Sequence, residues 1–202
     1  MANMECESNF VREIEQLNAS VKNVSQNAAT ARGEVGSFKL ILEQYLEQPQ
    51  LLDPHLESLI TPLTVVLAEA SKKLDDGDYF PSVMQTCRLL QCLISTRGYK
   101  TILRFFPNKA PDIELALSLL QKVETYATGS GEVDEDMQDG SWQTRSVLLL
   151  WLSGLVLIPF NFKSLQVHTL SHNSASDGPV TNSVEWIVNL TKKYLSDPGP
   201  SR

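Results

Sequence analysis

The chain has 202 residues, 42% apolar and 20% charged, which is ordinary for a folded protein and enough to bury a core. Its formal charge of −7 supplies no basic stripe, so a nucleic-acid partner, whose phosphates demand clustered Lys and Arg, is excluded. The aromatic fraction of 7% and the scarcity of glycine argue against an all-β sandwich, and Met1-Ala-Asn-Met-Glu-Cys-Glu has neither the basic start nor the apolar run of a secretory or transit segment.

The first segment carries Phe10, Ile14, Leu17, Val21, Val24, Ala28 and Ala31 at alternating intervals of four and three. That spacing predicts a long amphipathic helix within residues 1–36, interrupted by Gly33 and Gly36. Ser37 is placed to cap a second helix bearing Phe38, Ile41, Leu42, Tyr45 and Leu46, which Gln48-Pro49 stops. Asp53-Pro54 then reads as N-cap and first helical position of a third helix, with Leu56, Leu59, Ile60, Leu63, Val66, Leu67 and Ala70 inward and Pro62 inside it. Asp75-Asp-Gly-Asp is a turn. Pro81 opens a fourth helix along Val83, Met84, Cys87, Leu90, Leu93 and Ile94, and Gly98 ends it.

A short fifth helix is expected over residues 99–106, before Pro107. The sixth spans residues 112–126 along Ile113, Ala116, Leu117, Leu120 and Val123. Glu132, Asp134, Glu135, Asp136 and Asp139, bracketed by Gly129, Gly131 and Gly140, read as an acidic flexible loop over residues 127–141. A seventh helix follows over residues 142–158. Its uncharged stretch, residues 146–162, is shorter than the ~20 residues that span a bilayer and ends in Pro159 and Asn161, so a buried core helix is expected rather than a membrane span. After a polar loop near residues 166–180, an eighth helix over residues 183–195 turns Val184, Ile187, Val188 and Leu195 inward, and residues 197–202 form a disordered tail.

The division is therefore an N-terminal amphipathic helix at 1–36, first helical repeats at 37–126, the acidic loop at 127–141 and a further repeat at 142–196. No segment reads as a strand. The fold class is all-α, and helix pairs of roughly 40–47 residues have the HEAT and armadillo period. Periodicity alone leaves an ordinary helical domain open.

Motifs for chemistry are absent. Cys6, Cys87 and Cys92 are too few for a disulfide framework and read as free thiols of a reducing cytosol. Cys87 and Cys92 have no second ligand pair for zinc and read as core. His168 and His172 have a clamp spacing but no helix-fixed carboxylate between them, so no metal is expected. There is no phosphate loop, no nucleophile elbow and no Cys/His pair, so neither a cofactor nor an enzyme is expected.

Three blocks carry a resemblance. They are Leu46-Glu-Gln-Pro-Gln-Leu-Leu-Asp-Pro-His-Leu-Glu, Arg97-Gly-Tyr-Lys-Thr-Ile-Leu-Arg-Phe-Phe-Pro, and Trp142-Gln-Thr-Arg-Ser-Val-Leu-Leu-Leu-Trp-Leu-Ser-Gly-Leu-Val-Leu-Ile-Pro-Phe-Asn-Phe. In this order and spacing, over approximately residues 37–195, the chain resembles the N-terminal region of the tubulin-folding cofactor D (tubulin-specific chaperone D) family. The resemblance implies an α-solenoid of HEAT and armadillo-like repeats, of which this would be the N-terminal fragment. It also implies binding of β-tubulin, cooperation with cofactors C and E in assembling and disassembling the αβ-tubulin dimer, and stimulation of tubulin GTP hydrolysis. An Arf-like small GTPase as a further partner and a cytoplasmic, microtubule-associated location follow from the same source. A generic HEAT-repeat adaptor for another partner is the alternative.

Within these blocks Arg97, Lys100 and Arg104 are basic in an acidic chain, flanked by Tyr99, Phe105 and Phe106. Either the aromatics are core and the bases solvated, or the bases meet the acidic surface of tubulin. Trp142, Arg145 and Trp151 read as structural anchors: both tryptophans facing the core, and Arg145 bonding carbonyls of an adjoining helix.

Overall fold

The structure is a computed structural model that describes residues 2–26, 32–70, 79–128, 135–159 and 183–196. Among them the secondary structure is helical throughout. The helices are α1 (Ala2–Gln26), α2 (Arg32–Glu43), α3 (Leu56–Ala70), α4 (Phe80–Arg97), α5 (Tyr99–Ile102), α6 (Ala110–Thr128), α7 (Glu135–Val156) and α8 (Ser183–Ser196). Two 3-10 segments, Pro49–His55 and Leu103–Phe105, lead into α3 and out of α5.

The helices stack as pairs. α1 packs on α2, α3 on α4, and α6 on α7. Between pairs, α1 meets α3 and α3 meets α6, while α2 meets α4 and α4 meets α7. Two parallel layers result, α1-α3-α6 and α2-α4-α7, the arrangement in which each repeat buries the face its neighbour leaves open. The all-α helical-repeat reading is therefore correct.

α4 is the pivot of the stack. It is buried at Phe80, Val83, Met84, Gln85, Thr86, Cys87, Leu89, Leu90, Leu93 and Ile94, which leaves little of its circumference to water. A helix touched by α1, α2, α3 and α7 must be apolar nearly all round. Its C-terminus is fixed by Gly98 at φ 92°, whose N–H donates to the Ile94 carbonyl at 2.9 Å. The α1 stripe holds for Ile14, Leu17, Val21 and Val24, all in the core. Ala28, Ala31 and the side chain of Phe10 lie outside the described residues. α7 places Val147, Leu148, Trp151, Leu152 and Leu155 in the core, with Leu149 half-buried and Val156 40% exposed. Pro49–Ala70 is long and apolar enough to cross a membrane, but Leu59, Ile60, Leu63 and Leu67 point into the core, as a central repeat helix requires.

Several boundaries differ from the sequence reading. Gly33 and Gly36 lie inside α2, which begins at Arg32 instead of after Ser37. Both glycines face open space, and the Ser37 hydroxyl donates back to the Gly33 carbonyl at 3.4 Å instead of capping. What fixes α2 is tertiary. Glu34 accepts from Ser20 at 2.6 Å and Asn23 at 2.9 Å on α1, while Phe38 and Leu42 are buried. Asp53-Pro54 does not start α3 but sits in the 3-10 segment, because the Asp53 carboxylate is engaged by Arg97. α7 begins at Glu135, so only residues 129–134 of the expected acidic loop separate it from α6, and they lie outside the described residues. α8 is also rotated from expectation. Val184, Val188 and Leu195 are exposed, and Leu190 is buried with Trp186, Ile187 and Tyr194 packed beside it. The turn at 75–78, the polar loop near 166–180 and the tail at 197–202 lie outside the described residues.

Candidate interaction site

The block after α4 forms a compact corner of the molecule. Beyond Gly98, α5 and the Leu103–Phe105 turn put Ile102 and Phe106 into the core and leave Tyr99, Lys100 and Arg104 at the surface. The turn is tied to α7: the Trp151 indole N–H donates to the Pro107 carbonyl at 2.8 Å, and the Phe106 and Trp151 rings lie 6.0 Å apart and tilted. Trp151 is fully buried as an anchor with its one polar atom satisfied.

The three bases differ in state. Arg97 is bound within the chain, its Nε donating to Asp53 Oδ1 at 2.5 Å and a terminal nitrogen to Oδ2 at 2.8 Å. This fork holds the Asp53 carboxyl below the usual carboxylate range and raises the guanidinium further. Arg97 is a clasp between α4 and the segment before α3, not an open contact for a partner. Lys100 and Arg104 are exposed and make no ion pair among the described residues. Lys109 is likewise exposed; its backbone N–H donates to Asp112 at 2.6 Å.

Between the turn and the end of α7 is a niche of about 190 Å³, lined by Leu103, Phe106, Pro107, Asn108, Trp151, Gly154, Leu155 and Ile158, its side chains mostly apolar but its exposed wall shared about evenly by polar and apolar atoms. A second, more open groove of about 600 Å³ runs along α3 beside Pro62 and Val65, with Glu57 and Glu69 on its walls.

The first tryptophan of the third block departs from expectation. Trp142 is 54% exposed, not packed in the core, because α7 begins upstream and Trp142 lies on its outer face. Arg145 pairs with a carboxylate rather than with carbonyls: its Nε is 3.0 Å from Glu124 Oε1, at an angle outside hydrogen-bond geometry. Glu124 also accepts from Lys193 and, at 2.6 Å, from the Tyr194 hydroxyl. Burial works to raise its pKa, but these bonds and the two cations prevail and lower it. The pairings of Asp53 and Glu124 escaped the sequence reading because their partners lie far along the chain, where no local pattern signals them.

Cys87 is enclosed in the core and Cys92 is half-buried; burial pushes both thiols upward. Among the described residues no three His, Cys, Asp or Glu side chains gather as a metal site. His168 and His172 lie outside the described residues.

Residues 42–202 match the family model described as tubulin-specific chaperone D-like, ARM repeat. The chain is 26% identical over 244 aligned residues to tubulin-specific chaperone D of Dictyostelium discoideum, an alignment covering 84% of this chain and 16% of that protein. The chain thus spans about a sixth of the length of this curated relative. No solved structure matches.

Proposed function

The chain belongs to the tubulin-specific chaperone D-like armadillo-repeat family, and from that premise we propose that it is a repeat segment of a tubulin-folding scaffold. In this reading it contributes to binding β-tubulin and to assembly and disassembly of the αβ-tubulin dimer with cofactors C and E. Stimulation of tubulin GTP hydrolysis and contact with an Arf-like small GTPase belong to the same proposed assembly, in a cytoplasmic location beside the microtubule cytoskeleton. The chain acts as a binder without a catalytic site of its own. Supporting this, its displaced carboxylates, Glu34, Asp53 and Glu124, are held in structural bonds between helices.

The observation that carries the reading is family membership combined with the exposed Lys100 and Arg104 at a repeat rim. Tubulin is strongly acidic. A scaffold of net charge −7 that meets it by charge must do so where its bases stand clear of carboxylates. Rim loops suit this role, since the helices behind them are occupied with packing.

The test is capture of β-tubulin by the purified chain, compared with the Lys100→Ala/Arg104→Ala double variant. Each exposed pair contributes about 0.2–1 kcal/mol, so the double variant should weaken capture several-fold and flatten its salt dependence, with helical content intact. Unchanged capture by a folded double variant would remove this rim from the interface.

A further inference from the structure

The segment from Tyr99 to Lys109 brings together two features that are separately ordinary: unpaired cations and an opening lined mostly by apolar side chains. Leu103, Phe106, Trp151, Leu155 and Ile158 supply carbon walls, and Gly154 contributes no side chain at all. A Cβ built there would meet only Leu103 Cδ1, at 3.9 Å, an ordinary contact. The niche is therefore open where α7 could have filled it. At about 190 Å³ it is smaller than the ~300–1,000 Å³ of small-molecule sites. It is somewhat larger than the ~150 Å³ engineered cavity that accepts benzene, so one aromatic or large aliphatic side chain fits.

The walls are held rigidly. The Trp151–Pro107 hydrogen bond and the Phe106–Trp151 ring contact fix the turn against α7. Leu103, Phe106, Pro107 and Asn108 line the niche, Arg104 follows the first of them and Lys109 the last in sequence, and Lys100 lies one turn earlier. Each of these cations is exposed and unpaired among the described residues. Beside the niche, Val156 and Leu157 are 40% and 86% exposed, extending the apolar area at the end of α7. An opening lined by apolar side chains, with cations on the segment that forms one of its walls, has the makings of an interface anchor point: a buried side chain supplies affinity while the charges set orientation.

We propose that this niche receives one aromatic or large aliphatic side chain from an acidic segment of a partner protein, with carboxylates on either side of that anchor meeting Lys100, Arg104 and Lys109. The inference rests on the reading of this rim as a partner contact and adds the chemistry of the segment recognised.

The probe is a fluorescent peptide of three glutamates, one phenylalanine and three glutamates, titrated against the full chain by anisotropy, beside a version with serine for phenylalanine. The phenylalanine peptide should bind roughly tenfold more tightly, the effect of one good anchor. Gly154→Leu, which fills the niche from within, should abolish that advantage, whereas Gly154→Ala should keep most of it. Equal binding of the two peptides, or no binding of either, overturns the proposal without requiring any variant to fold. β-Tubulin capture separates the two levels. Loss on Lys100→Ala/Arg104→Ala but not on Gly154→Leu removes the niche and leaves the rim; indifference to both removes the rim as well. A dimer in sedimentation that Gly154→Leu dissociates would make the occupant a second copy of this chain and overturn the partner assignment.

Discussion

Glu124 links three helices through one carboxylate: it lies on α6, pairs with Arg145 on α7, and accepts from Lys193 and Tyr194 on α8. Its pKa, and those of Glu34 and Asp53, are lowered in the folded state. A carboxylate with a depressed folded pKa binds fewer protons folded than unfolded, so stability rises with pH between the two values. Its contribution is complete above the unfolded range, about 3.9–4.3, and is lost as pH falls through the folded value. Thermal midpoints should therefore hold steady from about pH 7 to 5 and fall below about pH 4.5. Glu124→Gln should lower the midpoint at neutral pH and reduce the acid-induced drop. A variant whose midpoint falls with acid as steeply as the parent's would show that Glu124 contributes nothing to that window. Gly98 is the other single residue with a clear physical demand. Its φ of 92° and ψ of 140° suit glycine almost alone, yet nothing crowds a Cβ there. Gly98→Ala should cost about 1–3 kcal/mol in denaturant unfolding, all of it backbone strain.

At the scale of the helix, burial decides what a substitution does. Leu90 on α4 is enclosed, so Leu90→Ala should cost about 2–5 kcal/mol through the cavity it leaves. Leu195, 81% exposed on α8, should tolerate Ala within about 0.5 kcal/mol, although the sequence reading put both inside. That contrast marks where sequence was informative. α3, α4 and α6 were legible because their apolar positions recur without competition and Pro or Gly marks an end, as at Gly98. α8 has two adjacent stripes of similar apolar content. The one bearing Trp186 and Tyr194 wins because large aromatics bury more area and the Tyr194 hydroxyl finds Glu124. The starts of α2 and α7 were illegible because Gly33, Gly36 and Gly140 signal breaks, at about 1 kcal/mol each, that the helices nonetheless run through. At the candidate site, the exposed bases could be read from sequence. The capture of Arg97 by Asp53 and the opening beside Gly154 depend on which segments the stack brings together.

The whole molecule is a short stack, and a stack has ends. Each pair touches only its neighbours, so opening free energy should fall from the middle outward rather than being uniform. α4 is enclosed by α1, α2, α3 and α7. α8 stands outside the three complete pairs, with Leu190 as its buried residue and Glu124 as its polar tie, while Val184, Val188 and Leu195 face outward. Native-state hydrogen exchange should accordingly show α4 amides opening only near the global unfolding free energy, and α8 amides opening well before it. Tyr194→Phe removes the hydroxyl that donates to Glu124 but keeps the ring packed. It should speed exchange in α8 several-fold, since a hydrogen bond to a charged group contributes about 1.5–3 kcal/mol when buried and less here, where the helix is half-exposed. α1 to α4 should exchange as before, because no contact carries the loss past α6 and α7. Exchange of α8 and α4 at one common free energy would mean that the stack unfolds as a single unit, and that its end is as firmly held as its centre.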